Sequence, residues 1–342
     1  PTNVLVTAYD IIFFWVARMI FSSIKNMGEV PFKDVLIHGI VRDEQGRKMS
    51  KSLGNGVDPL EVIDRVGADT LRFSLLNGVA SGGDIQDSDS KVIANRNFMN
   101  KIWNASRFVL MNVEGKKILP IEECKLSLAD KWILSKLNDC IKEVTKNFEK
   151  YELGNSCAAL YSFVWSEFCD WYIEFTKPTL TSGTEMEKTS AASVLVYVLD
   201  KILKLMHPVT PFITEEIYQS LPIHEETIMT QPFPTVVKKF AYRKERKLID
   251  GVKELVTKIR NARAEMNVAP SKTIRLFVKP NEDFKDIKKA EAYIAKLVNA
   301  EVSFVSDFSD DKQVVGVVSA AAEAQIPMGD LVDFEKEKER IK

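Results

Sequence analysis

Hydrophobic and polar positions change period several times along the 342 residues, and each change predicts an element. Residues 4–7 form an apolar run of strand length. Asp10 follows as an N-cap for a helix in which Ile11 and Trp15, four apart, share one face. Residues 35–41 predict a second buried strand, and 43–46 predict a turn. Asp58-Pro59-Leu60-Glu61 combines a cap, a first-turn proline and an acidic third position, so a helix starts there and stops at Gly67. Asp69 opens the next helix, with Leu71, Phe73 and Leu75 for packing and Arg72 outward. A turn at Ser81-Gly82-Gly83-Asp84 leads into one long helical pattern, or two, over 87–112.

From residue 128 to about 221 the period is helical throughout. The predicted helices are 129–150, 156–177, 188–206 and 211–221, broken at Gly154, at Pro178 with Ser182-Gly183, and at Pro208. Short links between such lengths predict an antiparallel bundle. Thr210 is a predicted cap for the helix begun by Pro211, and His207 reads as structural. The aromatic run Trp165 to Tyr172 is mostly core by composition, with any exposed ring available for stacking on bases. A helix over 242–267 turns Leu248, Val252, Leu255, Val256 and Ile259 inward and leaves Lys253, Lys258, Arg260 and Arg263 for solvent or phosphate. Strands are read near 274–278, 302–305 and 314–318, with a helix over 285–297. The charged end is helix-prone.

Composition narrows the class. Apolar content of 45% and charge content of 28% fit a globular protein with real cores. The longest apolar run, 11–17, is too short to cross a bilayer. No basic leader precedes it, so no signal peptide is read. Cys124, Cys140, Cys157 and Cys169 are scattered without a Cys-x-x-Cys pair, and there are three histidines, so neither zinc nor any other protein-bound metal is expected. The thiols point to a reducing compartment, the cytoplasm. The net charge of −1 hides an asymmetry: residues 238–275 carry twelve Lys/Arg against four Asp/Glu, and 280–342 carry nine against fourteen. The first stretch is a basic segment compatible with a polyanion, the second an acidic one.

Candidate chemistry lies in Lys48-Met49-Ser50-Lys51-Ser52. Two mobile positive charges on a loop that Gly46 leaves free to move suit a polyphosphate whose charge grows as a bond breaks. A solvated lysine turn is the bland alternative. A chance match to five fixed residues in a chain this long is roughly one in ten thousand.

This pentapeptide resembles the signature loop of class I aminoacyl-tRNA synthetases. Leu53-Gly54-Asn55-Gly56-Val57-Asp58-Pro59-Leu60 and Gly67-Ala68-Asp69-Thr70-Leu71-Arg72-Phe73 extend the resemblance, which is closest to the valine-specific branch of that class. The resemblance implies catalytic roles for Lys48 and Lys51 on the leaving pyrophosphate, with Ser50 and Ser52 beside the nucleotide. Thr7-Ala8-Tyr9-Asp10-Ile11-Ile12-Phe13-Phe14-Trp15 resembles the family block that places Ile11 and Trp15 around the branched side chain of valine and brings Asp10 and Thr7 to ATP and the adenylate. Ala8 stands where the family usually has glycine. Ile37-His38-Gly39 matches the block that meets the nucleotide, which implies adenosine contacts for His38 and Gly39. The block from Asn95 to Ala105 resembles the family's stem-contact region. Arg96, Lys101 and Arg107 become candidate tRNA contacts, as do Lys253, Lys258, Arg260 and Arg263 farther on.

The implied fold class is an α/β partial Rossmann-like nucleotide-binding half, then an all-α anticodon-binding helical bundle and a small α/β subdomain. The implied domains are 1–85 with the lysine loop, 86–125 connecting helices, 126–235 the anticodon-binding bundle, 236–328 the basic helix with the small subdomain, and 329–342 the start of a coiled-coil arm. The implied substrates and partners are ATP carrying Mg2+, valine and a valine-specific tRNA, with no membrane and a monomeric state. The class's other signature, His-x-Gly-His, does not occur in the sequence, nor does an editing domain. With Pro1 entering a strand almost at once, the expectation is a C-terminal piece that does not activate valine alone. An isoleucine-specific relative is the nearer alternative, disfavoured by the narrowing Trp15; a non-catalytic tRNA-binding module is the other.

Overall fold

The computed structural model describes residues 2–86, 88–308 and 313–331. The chain divides into two compact units, each assembled from three stretches. The first takes residues up to Gly115, Leu137–Cys169 and Leu195–Val236; the second takes Lys116–Lys136, Asp170–Val194 and the residues from Val237.

In the first unit, strand β1 (Val4–Ala8) leads through a 3-10 turn (Tyr9–Ile11) and a π-helical stretch (Ile12–Val16) into α1 (Ala17–Met27). Asp10 is therefore inside the first turn and not its cap, and no side chain caps that turn. β2 (Asp34–His38) runs parallel to β1, pairing Thr7 with Ile37 and Ala8 with His38. β2 is not the buried strand its composition predicts, since Val35 and Ile37 both face solvent. In a two-stranded sheet, apolar side chains lack the second layer that buries a parallel strand. β3 (Val41–Arg42), α2 (Pro59–Val66), α3 (Ala68–Leu76) and β4 (Ile85–Gln86) follow, with β3 and β4 parallel. Asp58 caps α2 as its sequence dictates, accepting from Leu60 N at 2.9 Å, and Gly67 ends it at φ +89°.

Helix α4 is one element, Asp89–Val113. Its Phe98 and Ile102 are buried, and Phe98 packs on Phe73 of α3. The bundle helices are α5 (Leu128–Glu149), α6 (Leu153–Ser162), a π stretch (Phe163–Tyr172), α7 (Ile173–Ser182), α8 (Glu185–Met206) and α9 (Pro211–Gln219). Two expected helix breakers lie inside helices, while the break at Ser182-Gly183 ends α7 as expected. Pro178 sits inside α7, where the burial of Ile173, Phe175 and Thr176 outweighs one lost backbone bond. Gly154 lies within α6; a Cβ there would come 2.1 Å from the Val79 carbonyl, so the glycine serves close packing, and the left-handed residue is Tyr151 at φ +58°.

The expected cap of α9 is also reassigned. Thr210 sits at the cap position, but its hydroxyl donates back to the Met206 carbonyl. The α9 amides of Phe212 and Ile213 donate instead to the carboxylate of Asp69, at 3.3 and 2.6 Å. Arg72, one turn on from Asp69, is exposed as expected and donates from the surface to the carbonyls of Val209 and Pro208. The α3 pair Asp69 and Arg72 thus holds both sides of the turn before α9. His207 meets the Thr214 hydroxyl at 2.8 Å, a structural role as expected.

In the second unit, α10 (Arg243–Glu265) lays Leu248, Val252, Leu255, Val256 and Ile259 against a four-stranded sheet. The sheet comprises β5 (Ile274–Pro280), β6 (Ala300–Phe304), β7 (Val314–Val318) and β8 (Ala322–Pro327) in the order β6-β5-β8-β7. A 3-10 stretch (Glu282–Ala290) and α11 (Glu291–Val298) connect β5 to its parallel neighbour β6. β8, antiparallel to both β5 and β7, has no counterpart in the sequence reading, because Ala322, Ala324 and Gln325 lack β-branched side chains. Of the expected coiled-coil arm, residues 332–342 lie outside the described residues.

Candidate functional site

The carboxyl ends of β1 and β2 and the loop after β3 bring several of the expected residues together. The turn forms first: Asp43 accepts from the Gln45 and Arg47 amides at 3.1 and 2.8 Å and from Arg47 Nε at 2.7 Å. Gly46, at φ +77°, takes the left-handed position the turn needs. The chain then folds back so that Lys48 bridges Arg42.

Lys48 Nζ lies 2.6 Å from Asp10 Oδ2. The bond lowers the Asp10 carboxyl and raises the Lys48 ammonium relative to their ordinary values. Both groups are thus charged at neutral pH, and both are exposed to solvent, where such a pair is weak and exchangeable. An incoming anion can take the ammonium from Asp10 at small cost. Ser50 Oγ is 3.1 Å from Ser52 Oγ. Lys51 opens a short 3-10 turn, Lys51–Leu53.

His38 and Gly39 line a cavity of about 490 Å³ together with Val6, Leu36, Gly83 and Tyr151. The imidazole Nδ1 is 2.7 Å from the Gly39 carbonyl. A Cβ on Gly39 would stand 2.1 Å from the Gly83 carbonyl, so this glycine is required by the close approach of the Gly82-Gly83 turn. Thr7 is buried, with its hydroxyl on the Ala8 carbonyl. Ile11 and Trp15 are 40% and 58% exposed and line no cavity described above, and neighbouring Phe13 is 79% exposed. The π-helical register breaks the α-helical spacing on which their shared face was predicted.

Sequence reasoning missed Asp84 at the centre of this region. Read only as part of a turn, it accepts from the Ile40 amide at 2.9 Å, Arg42 Nε at 2.5 Å and the Tyr9 hydroxyl at 3.3 Å. These donors, the Ile40 amide foremost, hold its carboxyl below the ordinary range. Asn55 was likewise unassigned. Asp84 carries no local mark because its partners come from distant segments, and Asn55 lies in the block that follows the lysine loop without any contact of its own being legible there.

The candidate tRNA contacts fare unevenly. Arg96 and Arg107 are exposed on α4. Lys101 lies over the Trp165 ring, 4.0 Å from its centroid. Lys253 caps Trp132 and Trp171 at 4.8 and 5.4 Å. Lys258 donates to the Val318 carbonyl and pairs with Glu254, while Arg260 forks onto the Leu297 carbonyl. Arg263 is not left for solvent: it is 5% exposed and donates to the carbonyls of Val298, Ala269, Pro270 and Lys272. The guanidinium fork suits such convergent acceptors, so the arginine is spent on loop architecture.

Among the described residues no group of three or more His, Cys, Asp or Glu could hold a metal ion, and no helix is long and apolar enough to cross a membrane. None of the four cysteines forms a disulfide with another described residue, and burial pushes the thiols of Cys140 and Cys157 up to about 12.

Comparison with known proteins finds relatives for most of the chain. Residues 1–88 match the family of class I tRNA synthetases (I, L, M and V), and residues 130–278 match the anticodon-binding domain of tRNA ligase. Valine–tRNA ligases of Clostridium tetani and Clostridium perfringens are 50% and 52% identical over all of this chain, and that of Enterococcus faecalis is 45% identical. The chain spans 39% of the length of each of these relatives. Two solved structures share the fold. One is an Agrobacterium radiobacter LeuRS in a ternary complex with tRNA and LeuAMS, with TM-score 0.58 and 23% identity over 70% of this chain and 29% of that one. The other is Mycobacterium tuberculosis methionyl-tRNA synthetase with methionyl-adenylate, with TM-score 0.53 and 21% identity over 69% of this chain and 50% of that one. Two family matches in order and an alignment that runs the full length of the chain make it similar throughout to the valine–tRNA ligases among the class I tRNA synthetases.

Proposed function

We propose that the whole protein joins valine to its tRNA through valyl-adenylate, with this chain supplying the lysine loop and the anticodon-binding part. The observation that carries the reading is Lys48, held over the carboxyl ends of two parallel strands by an exchangeable bond to Asp10. Ligands of open α/β sheets bind at that edge. In the first step the valine carboxylate attacks the α-phosphate of ATP and pyrophosphate leaves. In the second, a terminal ribose hydroxyl of tRNA attacks the mixed anhydride. No covalent enzyme intermediate is required, so positioning and charge stabilisation carry the catalysis.

Lys48 and Lys51 are assigned to the departing pyrophosphate, Ser50 and Ser52 to its oxygens, and His38 and Gly39 to the adenosine side. Thr7 and Asp10 would approach the adenylate, and Ile11 and Trp15 the valine side chain. Mg2+ enters with ATP as part of the substrate. Arg96 and Arg107 are favoured as tRNA phosphate contacts over Arg263, which is buried with its terminal nitrogens on backbone carbonyls. The protein acts as a monomer in the cytosol.

The test has two arms on the whole protein. ATP–pyrophosphate exchange should depend on valine; exchange driven better by isoleucine would move the protein to the isoleucine-specific branch. Gel shifts at two salt concentrations should favour the valine tRNA over the isoleucine tRNA. Equal binding that collapses at the higher salt would leave only non-specific phosphate contact.

A further inference from the structure

Three contacts of one unassigned side chain control where the lysine loop sits. Asn55 Oδ1 accepts from the Ser50 amide at 2.9 Å, and Asn55 Nδ2 donates to Asp43 Oδ2 at 2.9 Å and to the Lys48 carbonyl at 3.3 Å. These partners fix the orientation of the amide: an N–H must face an acceptor, and a carboxylate and a carbonyl must face donors. Asparagine is the short side chain that presents both. The backbone on either side of Met49 is therefore anchored by a residue outside the loop, and that residue is anchored in turn by the aspartate that builds the preceding turn.

We infer that Asn55, braced by Asp43, is the positioning residue that aims the Lys48–Ser52 backbone at the nucleotide. The inference rests on the reading of that loop as the pyrophosphate-facing element. Asn55 touches no reacting atom; it acts through the backbone that carries the lysines. The bond to Asn55 is the first of the contacts that hold the Asp43 carboxyl at about 2, so the brace stays ionised throughout any working range. A loop aimed by its own side chains alone would rest on the Ser50–Ser52 contact and the Leu53 amide on Ser50 Oγ at 3.3 Å. Those bonds shape the loop internally and do not tie it to the turn.

The test is Asn55→Asp in the whole protein. The change keeps the shape, removes both donors and sets a second carboxylate against Asp43. Limited trypsin digestion should then cut after Arg47, Lys48 and Lys51 at least about tenfold faster, with cleavage elsewhere unchanged. In valine-dependent ATP–pyrophosphate exchange, kcat should fall more than about tenfold while KM for valine stays within about twofold. The double variant Asp43→Asn with Asn55→Asp restores a donor–carboxylate pair and should recover part of the tryptic resistance. Unchanged cleavage in Asn55→Asp, or kcat and KM moving by the same factor, would overturn the inference. If the unaltered protein shows no valine-dependent exchange, the proposed function fails, and the digestion arm alone decides the clamp.

Discussion

Two cations, Lys48 and Arg263, sit in regions that the sequence marks as positively charged, and their surroundings are opposite. Lys48 is exposed and holds one carboxylate, that of Asp10, in a bond water and salt can compete for. Arg263 is buried and holds four backbone carbonyls through its two terminal nitrogens, so an outside partner would have to displace them from a closed site. A motif with ordered neighbours marks the lysine; the charge excess of its segment marks the arginine. A charge count cannot tell a cation that waits for a ligand from one already consumed by a loop. Hydrogen-bond partners can.

The largest effect that would sharpen this contrast is on stability. Arg263→Ala strips a charged donor from four carbonyls in a buried site and should cost the second unit about 3 kcal/mol in urea unfolding. Arg263→Lys should recover little, because an ammonium cannot reach acceptors spread along a fork. A near-neutral Arg263→Ala would mean that the arginine is available for RNA after all.

Asp69 offers the same contrast in the first unit. Its carboxylate caps α9 from a distant helix, so Asp69→Ala should cost about 1–2 kcal/mol, while Thr210→Val should cost less because the Thr210 hydroxyl does not cap. Equal costs would return the cap to Thr210. Burial, opposed by the two amide bonds, leaves the Asp69 carboxyl above its ordinary 3.8. A raised acid favours the folded state below the unfolded pKa, and that contribution is lost as pH rises through the folded value. Removing Asp69 should flatten that slope.

A smaller effect concerns RNA. Arg96→Ala on the exposed face of α4 should reduce the salt slope of tRNA binding by about 1, as expected for one lost phosphate contact, and Arg263→Lys should leave it unchanged. The reverse result would break the comparison.

The smallest is the turn. Asp43 is held at about 2 by Asn55 and the Arg47 contacts, so its contribution is complete above 3.8 and lost as pH falls towards 2. A carbon-13 titration of the Asp43 carboxyl should show its midpoint near the lower value, and Asn55→Ala should move it upward.

Much of the architecture was legible because local chemistry decides it. Asp58-Pro59 starts α2, Gly67 stops it, and the α10 apolar stripe is the stripe that packs. What was not legible depends on distant partners. Pro178 reads as a break until Phe175 and Ile173 are seen to be buried, and Gly154 reads as a break until the Val79 carbonyl is found against it. The site followed the same rule. Lys48, Ser50 and His38 were marked by ordered blocks, whereas Asp84 gathers Tyr9, Ile40 and Arg42 from three segments, and Asn55 reaches back to Asp43. The π-helical start of the Ile12–Val16 stretch, which displaces the expected face of Ile11 and Trp15, carries no local marker that separates it from an α-helix.

The central claim is that the exposed lysine loop works on charge that develops only as the bond breaks. The direct measurement is Lys51→Ala in the whole protein, with valine-dependent ATP–pyrophosphate exchange and valine affinity followed side by side. The claim predicts a loss of exchange on the order of a hundredfold or more with valine affinity unchanged. Equal losses in both, or no loss of exchange, would contradict it.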